Sequence, residues 1–342
     1  MINIGVVGYG YWGPNLVRNF VEVSGARVRA VSDLSAARLG LAASRYPGVV
    51  ATPNAMELIA DPQIDAVVVA TPVSSHFELA HASLSAGKHV LVEKPLTSTA
   101  EEAERLVELA ERKGLTLMVD HTFIYTGAIR KVRELVQAGG VGDVYYFDSE
   151  RINLGLFQRD VNVIWDLAVH DLSIMDYVLP ARPTAVSVTG MSHVRGAPEN
   201  IAYLTLFFPG QMIAHIHVNW LAPVKLRRTL IGGSRKMVVY DEMERSEPIK
   251  VYDKGIAPQT GTEGVHQMLI DYRVGDMWAP HVDPTEALKV EAKHFVDCVE
   301  NRARPTTDGE MGLRVVRILE AASQSLALRG ELVELEGESA LV

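Results

Sequence analysis

The stretch GVVGYGYWG (5–13) sets Gly8, Gly10 and Gly13 in a G-x-G-x-x-G spacing between an apolar run and an amphipathic one. That context constrains the fold more than any other feature of the chain. The chain must arrive as a buried strand, turn tightly and leave as a helix. The first glycine permits the turn, the second lets the backbone approach a pyrophosphate, and the third allows close helix–strand packing. The helix N-terminus adds partial positive charge, and Pro14 suits its first turn. Tyr9 and Trp12 lie within the same loop. Asp33 ends the second apolar run, VRAVSD (28–33). A carboxylate there accepts hydrogen bonds from ribose hydroxyls and repels a 2′-phosphate, which favours NAD over NADP. Arg38 lies near enough to accommodate that phosphate, so NADP stays as the less favoured alternative. The bland reading is a glycine turn with Asp33 capping the next helix.

Strand-like runs at 2–8, 28–33, 65–71, 89–95 and 115–120 alternate with helical segments at 14–23, 35–45, 76–87 and 101–114. Continuous apolar strands separated by helices predict a parallel sheet covered on both faces. Beyond about residue 120 the pattern changes. A helix is expected at 127–138, a strand within 144–152 and a helix through WDLAVHDLSIMDYVL. Strand-like runs then follow from 184 to about 252 without helices between them, which predicts a largely antiparallel sheet. Helices at about 285–301 and 309–329 follow. With 342 residues, two domains are expected: a dinucleotide-binding domain over 1–120 and a substrate and oligomerisation domain over 121–342.

The net charge of −9 argues against nucleic-acid and anionic-membrane surfaces. No apolar run approaches the roughly 20 residues that span a bilayer. Cys298 is the only cysteine, so no intrachain disulfide can form and a reducing compartment is expected. No signal peptide is read at MINIGVVGYG, and a cytoplasmic location is the expectation.

Two segments fall at carboxyl ends of sheet strands, where open α/β sheets bind ligands. ATPVSSH (70–76) brings Thr71, Pro72 and His76, and VEKPL (92–96) brings Glu93 and Lys94. In the second half, WDLAVHD (165–171) places Asp166 four residues before His170, on one helical face. Three readings compete for it. A metal could use Asp166, His170 and Asp171, with His215 and His217 on AHIHVNW, but Asp171 should point to a different helix face. Asp166 could instead be a first-turn acid and His170 a core histidine. The third reading is acid–base chemistry, for which an imidazole is suited near neutral pH. His215, His217 and Asn219 share one strand face by period two, a polar stripe better suited to a sheet surface or subunit contact.

Together, GVVGYGYWGPN, DAVVVATPVSSH, AGKHVLVEKPL, HTFIY, GDVYYFDSERINLG, WDLAVHD and the closing EAKHFVDCVENRARPTTDGEMGLRVVRILEAASQSL resemble the glucose–fructose oxidoreductase/inositol dehydrogenase/rhizopine-catabolism (Gfo/Idh/MocA) family. The resemblance spans nearly the whole chain. It implies an N-terminal Rossmann domain and a C-terminal α+β domain whose large, mostly antiparallel open sheet supports homodimers or homotetramers. It also implies that Lys94, Asp166 and His170 surround the substrate. Asp120 and Thr126-Gly127 depart from the Gly and Asn-Pro of close relatives.

On this reading the catalytic set is His170 as general base and acid, Lys94 as electrostatic partner and Asp166 as orienting acid, with no metal. His121, Tyr125, Arg151, Asn153 and Trp165 are expected substrate contacts. The arrangement RINLG…VNVIWDLAVHD looks like the branch tied to nucleotide sugars, so oxidation of a nucleotide-linked sugar at ring carbon 3 is the leading expectation. A free-sugar or inositol dehydrogenase, a hydrolase or lyase that retains its NAD, and a non-catalytic NAD-binding regulator are the alternatives.

Overall fold

The computed structural model describes residues 1–155, 161–258 and 270–335. The chain divides into two compact units, Met1–Tyr125 with Thr285–Glu320, and Thr126–Pro284 with Ala321–Val342. In the first unit β1 (Ile2–Val7), α1 (Gly13–Glu22), β2 (Ala26–Ser32), α2 (Ala36–Arg45), β3 (Val50–Thr52), α3 (Ala55–Ala60), β4 (Ala66–Val69), α4 (His76–Ser85), β5 (His89–Glu93), α5 (Ala100–Lys113) and β6 (Leu117–Asp120) follow one another. The six strands form a parallel sheet in the order β3-β2-β1-β4-β5-β6. All four residues of β4 are buried, as the unbroken valine run requires when helices cover both faces. Local chemistry sets the helix ends. Thr99 accepts a hydrogen bond from the Glu102 N–H at the start of α5, and Gly114 closes it at φ 62°. Glu101 and Glu102 sit in its first turn and Arg112 and Lys113 in its last, each complementing the helix dipole.

The second unit opens with α6 (Gly127–Gln137), β7 (Val144–Leu154) and α7 (Val169–Val178). Thr126 accepts from the Ile129 N–H as the cap of α6. A Cβ at Gly127 would meet the Asp283 carbonyl at 2.2 Å, so this departure from the family pattern is a close backbone approach that tolerates only glycine. Then come β8 (Ala185–Met191), β9 (Ile201–Phe207), β10 (Ile213–Asn219), β11 (Leu221–Gly233), β12 (Met237–Asp241), β13 (Ile249–Tyr252), the pair β14 (Gly255–Pro258) and β15 (Ile270–Arg273), and β16 (Met277–Trp278).

After α8 (Ala287–Asn301) and α9 (Gly309–Ala327), β17 (Val333–Glu334) completes a nine-stranded sheet ordered β16-β13-β12-β11-β7-β10-β9-β8-β17. Every pairing in it is antiparallel except β7 with β10, so the sheet is mixed rather than purely antiparallel. Burial alternates along β9 and β10. Leu204, Leu206, Ile216 and Val218 face the core, while Tyr203, His215, His217 and Asn219 lie on the more open face.

The expected single boundary at residue 120 gives way to repeated crossing, because Thr285–Glu320 groups with the first unit. Fully buried Phe295 of α8 meets Phe20 of α1 edge-on, centroids 6.0 Å apart. The Thr307 carbonyl accepts from the Val119 N–H at 2.8 Å, and Gly312 packs against Leu96 and Val119. The sequence-expected second domain also ran to residue 342, of which 336–342 lie outside the described residues.

Phe295→Ala should therefore destabilise the first unit by about 3–5 kcal/mol in chemical denaturation. Its coupling to Phe20→Ala should be about 0.5–1.5 kcal/mol. A cost below about 1 kcal/mol would contradict this packing.

Candidate active site

The glycine loop is built by exclusion. Gly8 sits at φ 99°, and a Cβ there would meet the Ala70 carbonyl oxygen at 2.3 Å. A Cβ at Gly13 would meet the Gly8 oxygen at 2.2 Å. At Gly10 the nearest atom is the Arg38 guanidinium at 3.6 Å, so packing within the protein does not demand glycine there. A glycine there leaves the protein backbone open to close approach by a phosphate. The first turn of α1 carries no acid and no side-chain cap, and Pro occupies its start, leaving its positive end for an anion. Asp33 is buried; one carboxylate oxygen accepts from the Tyr9 N–H at 2.7 Å and the other from the Ser35 N–H at 2.8 Å. Ser35, not Asp33, caps α2, which removes the bland reading of Asp33. Arg38 Nη1 lies 3.6 Å from the same carboxylate. These residues fit a dinucleotide.

At the ends of β4 and β5, Thr71 is half-buried and Pro72 exposed. His76, expected to touch the cofactor, is instead an internal strut. Its Nδ1 lies 2.9 Å from the Pro95 carbonyl and its Nε2 2.8 Å from that of Thr71. Burial pushes its pKa below the ordinary value, so the ring is neutral at physiological pH and donates to only one of the two carbonyls. The imidazole ties together the loops that carry Thr71 and Lys94. Lys94 is half-buried, precedes a cis bond to Pro95, and its N–H donates to Glu93.

Beside Lys94 three carboxyl groups converge. Glu93 and Asp120 are register partners on β5 and β6, and Glu291 approaches Asp120 from α8. Burial, then the charge of Asp120, pushes both Glu93 and Glu291 well above the ordinary carboxylate range. Asp120 accepts from the Trp12 indole at 3.0 Å and from the Thr122 hydroxyl. Glu291 escaped the sequence reading, although its position held a signal: it falls on the apolar stripe Leu288, Ala292, Phe295, Val299 of α8.

In the second unit the WDLAVHD segment is a π turn, Ile164–Ala168, running into α7. The i→i+5 geometry recurs at functional sites. Trp165, Asp166 and His170 are half-buried, while Leu167, Ala168, Val169 and Asp171 are buried. The Trp220 indole donates to Asp166 at 3.1 Å. Asp171 does point away from His170, as the helical geometry required. It receives the Arg151 guanidinium at 2.9 Å and the Ser149 hydroxyl at 2.7 Å.

Arg151 is thus held in a buried ion pair, with Glu242 a further 3.6 Å neighbour, and is not placed to grip a substrate. Tyr125 is likewise buried, its hydroxyl 3.0 Å from Thr307 and its phenol pKa raised by burial. His121 is buried as well. Of the five expected substrate contacts, Asn153 and Trp165 remain partly exposed; the Trp165 indole donates to Ser323 at 2.9 Å.

The family model described as "Oxidoreductase family, NAD-binding Rossmann fold" matches residues 2–121, and the "GFO/IDH/MocA C-terminal domain" matches 129–239. The chain belongs to the Gfo/Idh/MocA oxidoreductase family, an enzyme family with an NAD-binding Rossmann fold. It is 28% identical over 316 residues to the UDP-N-acetylglucosamine 3-dehydrogenase of Acidithiobacillus ferrooxidans, covering 91% of this chain and 93% of that protein. It is 26% identical to the scyllo-inositol 2-dehydrogenase (NADP(+)) IolW of Bacillus subtilis, covering 95% and 93%. The crystal structure of UDP-N-acetylglucosamine 3-dehydrogenase GnnA from A. ferrooxidans superposes with a TM-score of 0.81 at 23% identity, covering 96% and 98%. Among the described residues, no helix is long and apolar enough to cross a membrane.

The raised carboxyl pKa values predict a pH dependence of stability. Above the ordinary carboxyl pKa the unfolded chain has released protons that the folded chain still holds. Stability therefore falls as pH rises, by about 1.4 kcal/mol per pH unit for each such group. Glu291→Gln, which mimics the protonated acid, should remove its share of the slope in urea midpoints measured from about pH 5 upward. An unchanged slope would refute the protonated state.

Proposed function

We propose that this protein is an NAD-dependent dehydrogenase that oxidises a secondary hydroxyl of a sugar, in particular a nucleotide-linked sugar at ring carbon 3. The observation that carries the reading is that Trp165, Asp166 and His170 are partly exposed where the π turn runs into α7, while Leu167, Ala168, Val169 and Asp171 are buried. A histidine at that position, in a chain whose other unit has a dinucleotide loop, supplies what hydride chemistry needs: a group for the hydroxyl proton. The similarity to a UDP-N-acetylglucosamine 3-dehydrogenase over nine-tenths of both chains supports the choice of sugar.

When bound, NAD supplies the hydride acceptor. His170 takes the substrate hydroxyl proton as the carbonyl forms and returns it in the reverse direction. Asp166, held by the Trp220 indole, orients the imidazole and offsets its positive charge. Lys94 stabilises the developing alkoxide. Trp165 and Asn153 contact the substrate. Asp33 selects NAD: its carboxylate is already paired with two N–H groups, and Arg38 leans on it rather than presenting a phosphate site.

The more open face of the nine-stranded sheet supports a second copy of this chain as partner. Met191, Tyr203, Phe207, Ile213 and Leu226 lie on that face and are exposed, apolar side chains that a second copy could cover. Sedimentation should give a dimer or tetramer that Phe207→Glu weakens; a monomeric wild type would reject this contact.

The catalytic assignment is tested by NADH formation against nucleotide sugars, free sugars and inositols, each with NAD and NADP and a trap for the keto product. His170→Ala and Lys94→Ala should each lower turnover by about 10²–10⁴-fold while NAD still binds. Turnover within about threefold of wild type in both variants would defeat the assignment. A signal confined to inositols would move the substrate to a free polyol, and preference for NADP would overturn the role of Asp33.

A further inference from the structure

The carboxyl cluster beside Lys94 has a feature that the catalytic roles above do not use. Trp12 belongs to the glycine loop after β1, whereas Asp120 ends β6, and β4 and β5 stand between them in the sheet. Neighbouring strands lie about 4.8 Å apart, so loop and indole together bridge roughly 14 Å of the sheet's carboxyl edge. They close on the 3.0 Å bond from Trp12 Nε1 to Asp120. In a sheet of this order the β1-β2-β3 half takes the adenosine side of a dinucleotide and the β4-β5-β6 half takes the nicotinamide side. The Trp12 indole and the Asp120 carboxylate therefore both belong to the nicotinamide half.

The surroundings of Asp120 also fix where charge resides. Thr122 donates its hydroxyl to one oxygen and Trp12 its N–H to the other. Glu93 faces it from β5 and Glu291 from α8, with Lys94 next to Glu93, and Tyr125 and Cys298 beyond Glu291. Asp120 is 1% exposed and Glu291 0%. Three carboxylates cannot all be ionised at such a distance from water. Asp120 is the member that receives two donors from neutral groups, while burial and their neighbourhood push Glu93 and Glu291 toward the neutral form.

We propose that Asp120 is a positioning residue for the cofactor: its carboxylate fixes the Trp12 indole across the nicotinamide half of the sheet edge and places there a buried negative charge that favours the oxidised, cationic nicotinamide. This rests on the NAD-dependent reading above. The two parts are separable, since the clamp acts on both redox forms of the cofactor and the charge acts on their difference.

The test is binding rather than turnover. Dissociation constants for NAD⁺ and NADH are measured for the wild type, Asp120→Asn, Asp120→Ala, Trp12→Phe and the double variant Trp12→Phe/Asp120→Ala. Asp120→Asn keeps an acceptor for the indole and loses the charge. It should weaken NAD⁺ more than NADH, moving the ratio of the two constants by roughly fivefold or more. Trp12→Phe keeps an aromatic ring and loses the donor; it should weaken both forms alike. In the Asp120→Ala background, Trp12→Phe should cost nothing further.

An unchanged NAD⁺/NADH ratio in a folded Asp120→Asn protein overturns the charge role. Additive losses in the double variant overturn the clamp. If Asp120→Ala does not fold, the same cycle is run with Asp120→Leu, which fills the space without an acceptor; there too Trp12→Phe should cost nothing further, and an undiminished effect again overturns the clamp. Failure of the wild type to bind either form overturns the NAD reading together with this one, which separates the two failures.

Discussion

The first unit turns on one short hydrogen bond, the Tyr9 N–H donating to the buried Asp33 carboxylate at 2.7 Å. Gly8 makes its left-handed turn against the Ala70 carbonyl, its own N–H donating to Ser32 of β2, and the next residue is drawn to the same strand end. Asp33 accepts the Tyr9 N–H, and a hydrogen bond to a carboxylate of this kind contributes about 1.5–3 kcal/mol. The same carboxylate fixes the start of α2 through the Ser35 N–H. The distance between the glycine turn and the ribose-side acid is thereby set by a bond rather than by packing alone. Every contact with a dinucleotide inherits that spacing.

Buried charge organises both units, with opposite solutions. In the first unit Glu93, Asp120 and Glu291 are all acids, and the cluster is tolerable because two of them are pushed toward their neutral form. In the second, Arg151 and Asp171 neutralise one another and bind β7 to α7. Removing one partner from such a pair costs about 3–5 kcal/mol. Asp171 directly follows His170, so the ion pair anchors the turn on which the histidine stands. Arg151 is thus spent on an ion pair inside the core, although the sequence suggested contact with a ligand.

Much of the fold was legible because its signals are local. Three glycines, a strand and a helix in register specify the dinucleotide loop, and valine runs specify buried parallel strands. The mixed sheet was harder, since the parallel pairing of β7 with β10 joins segments some seventy residues apart that no local pattern connects. The return of α8 to the first unit was hidden for the same reason: an amphipathic helix states that it is buried, not against what. In the site, period alone separated Asp171 from His170 correctly. It could not reveal that His76, Tyr125 and Arg151 spend their polar atoms inside the protein. The carboxyl cluster required three distant segments to meet, and its one local trace was a glutamate on an apolar helix stripe.

The most direct measurement follows the hydride itself. A nucleotide sugar that supports turnover is prepared with deuterium at ring carbon 3, and the reduced cofactor is examined by mass spectrometry. Direct transfer from that carbon requires one deuterium in each NADH, and turnover slowed by the label if hydride transfer limits the rate. NADH that forms without deuterium would place oxidation at another carbon, and label lost to water would contradict hydride transfer altogether.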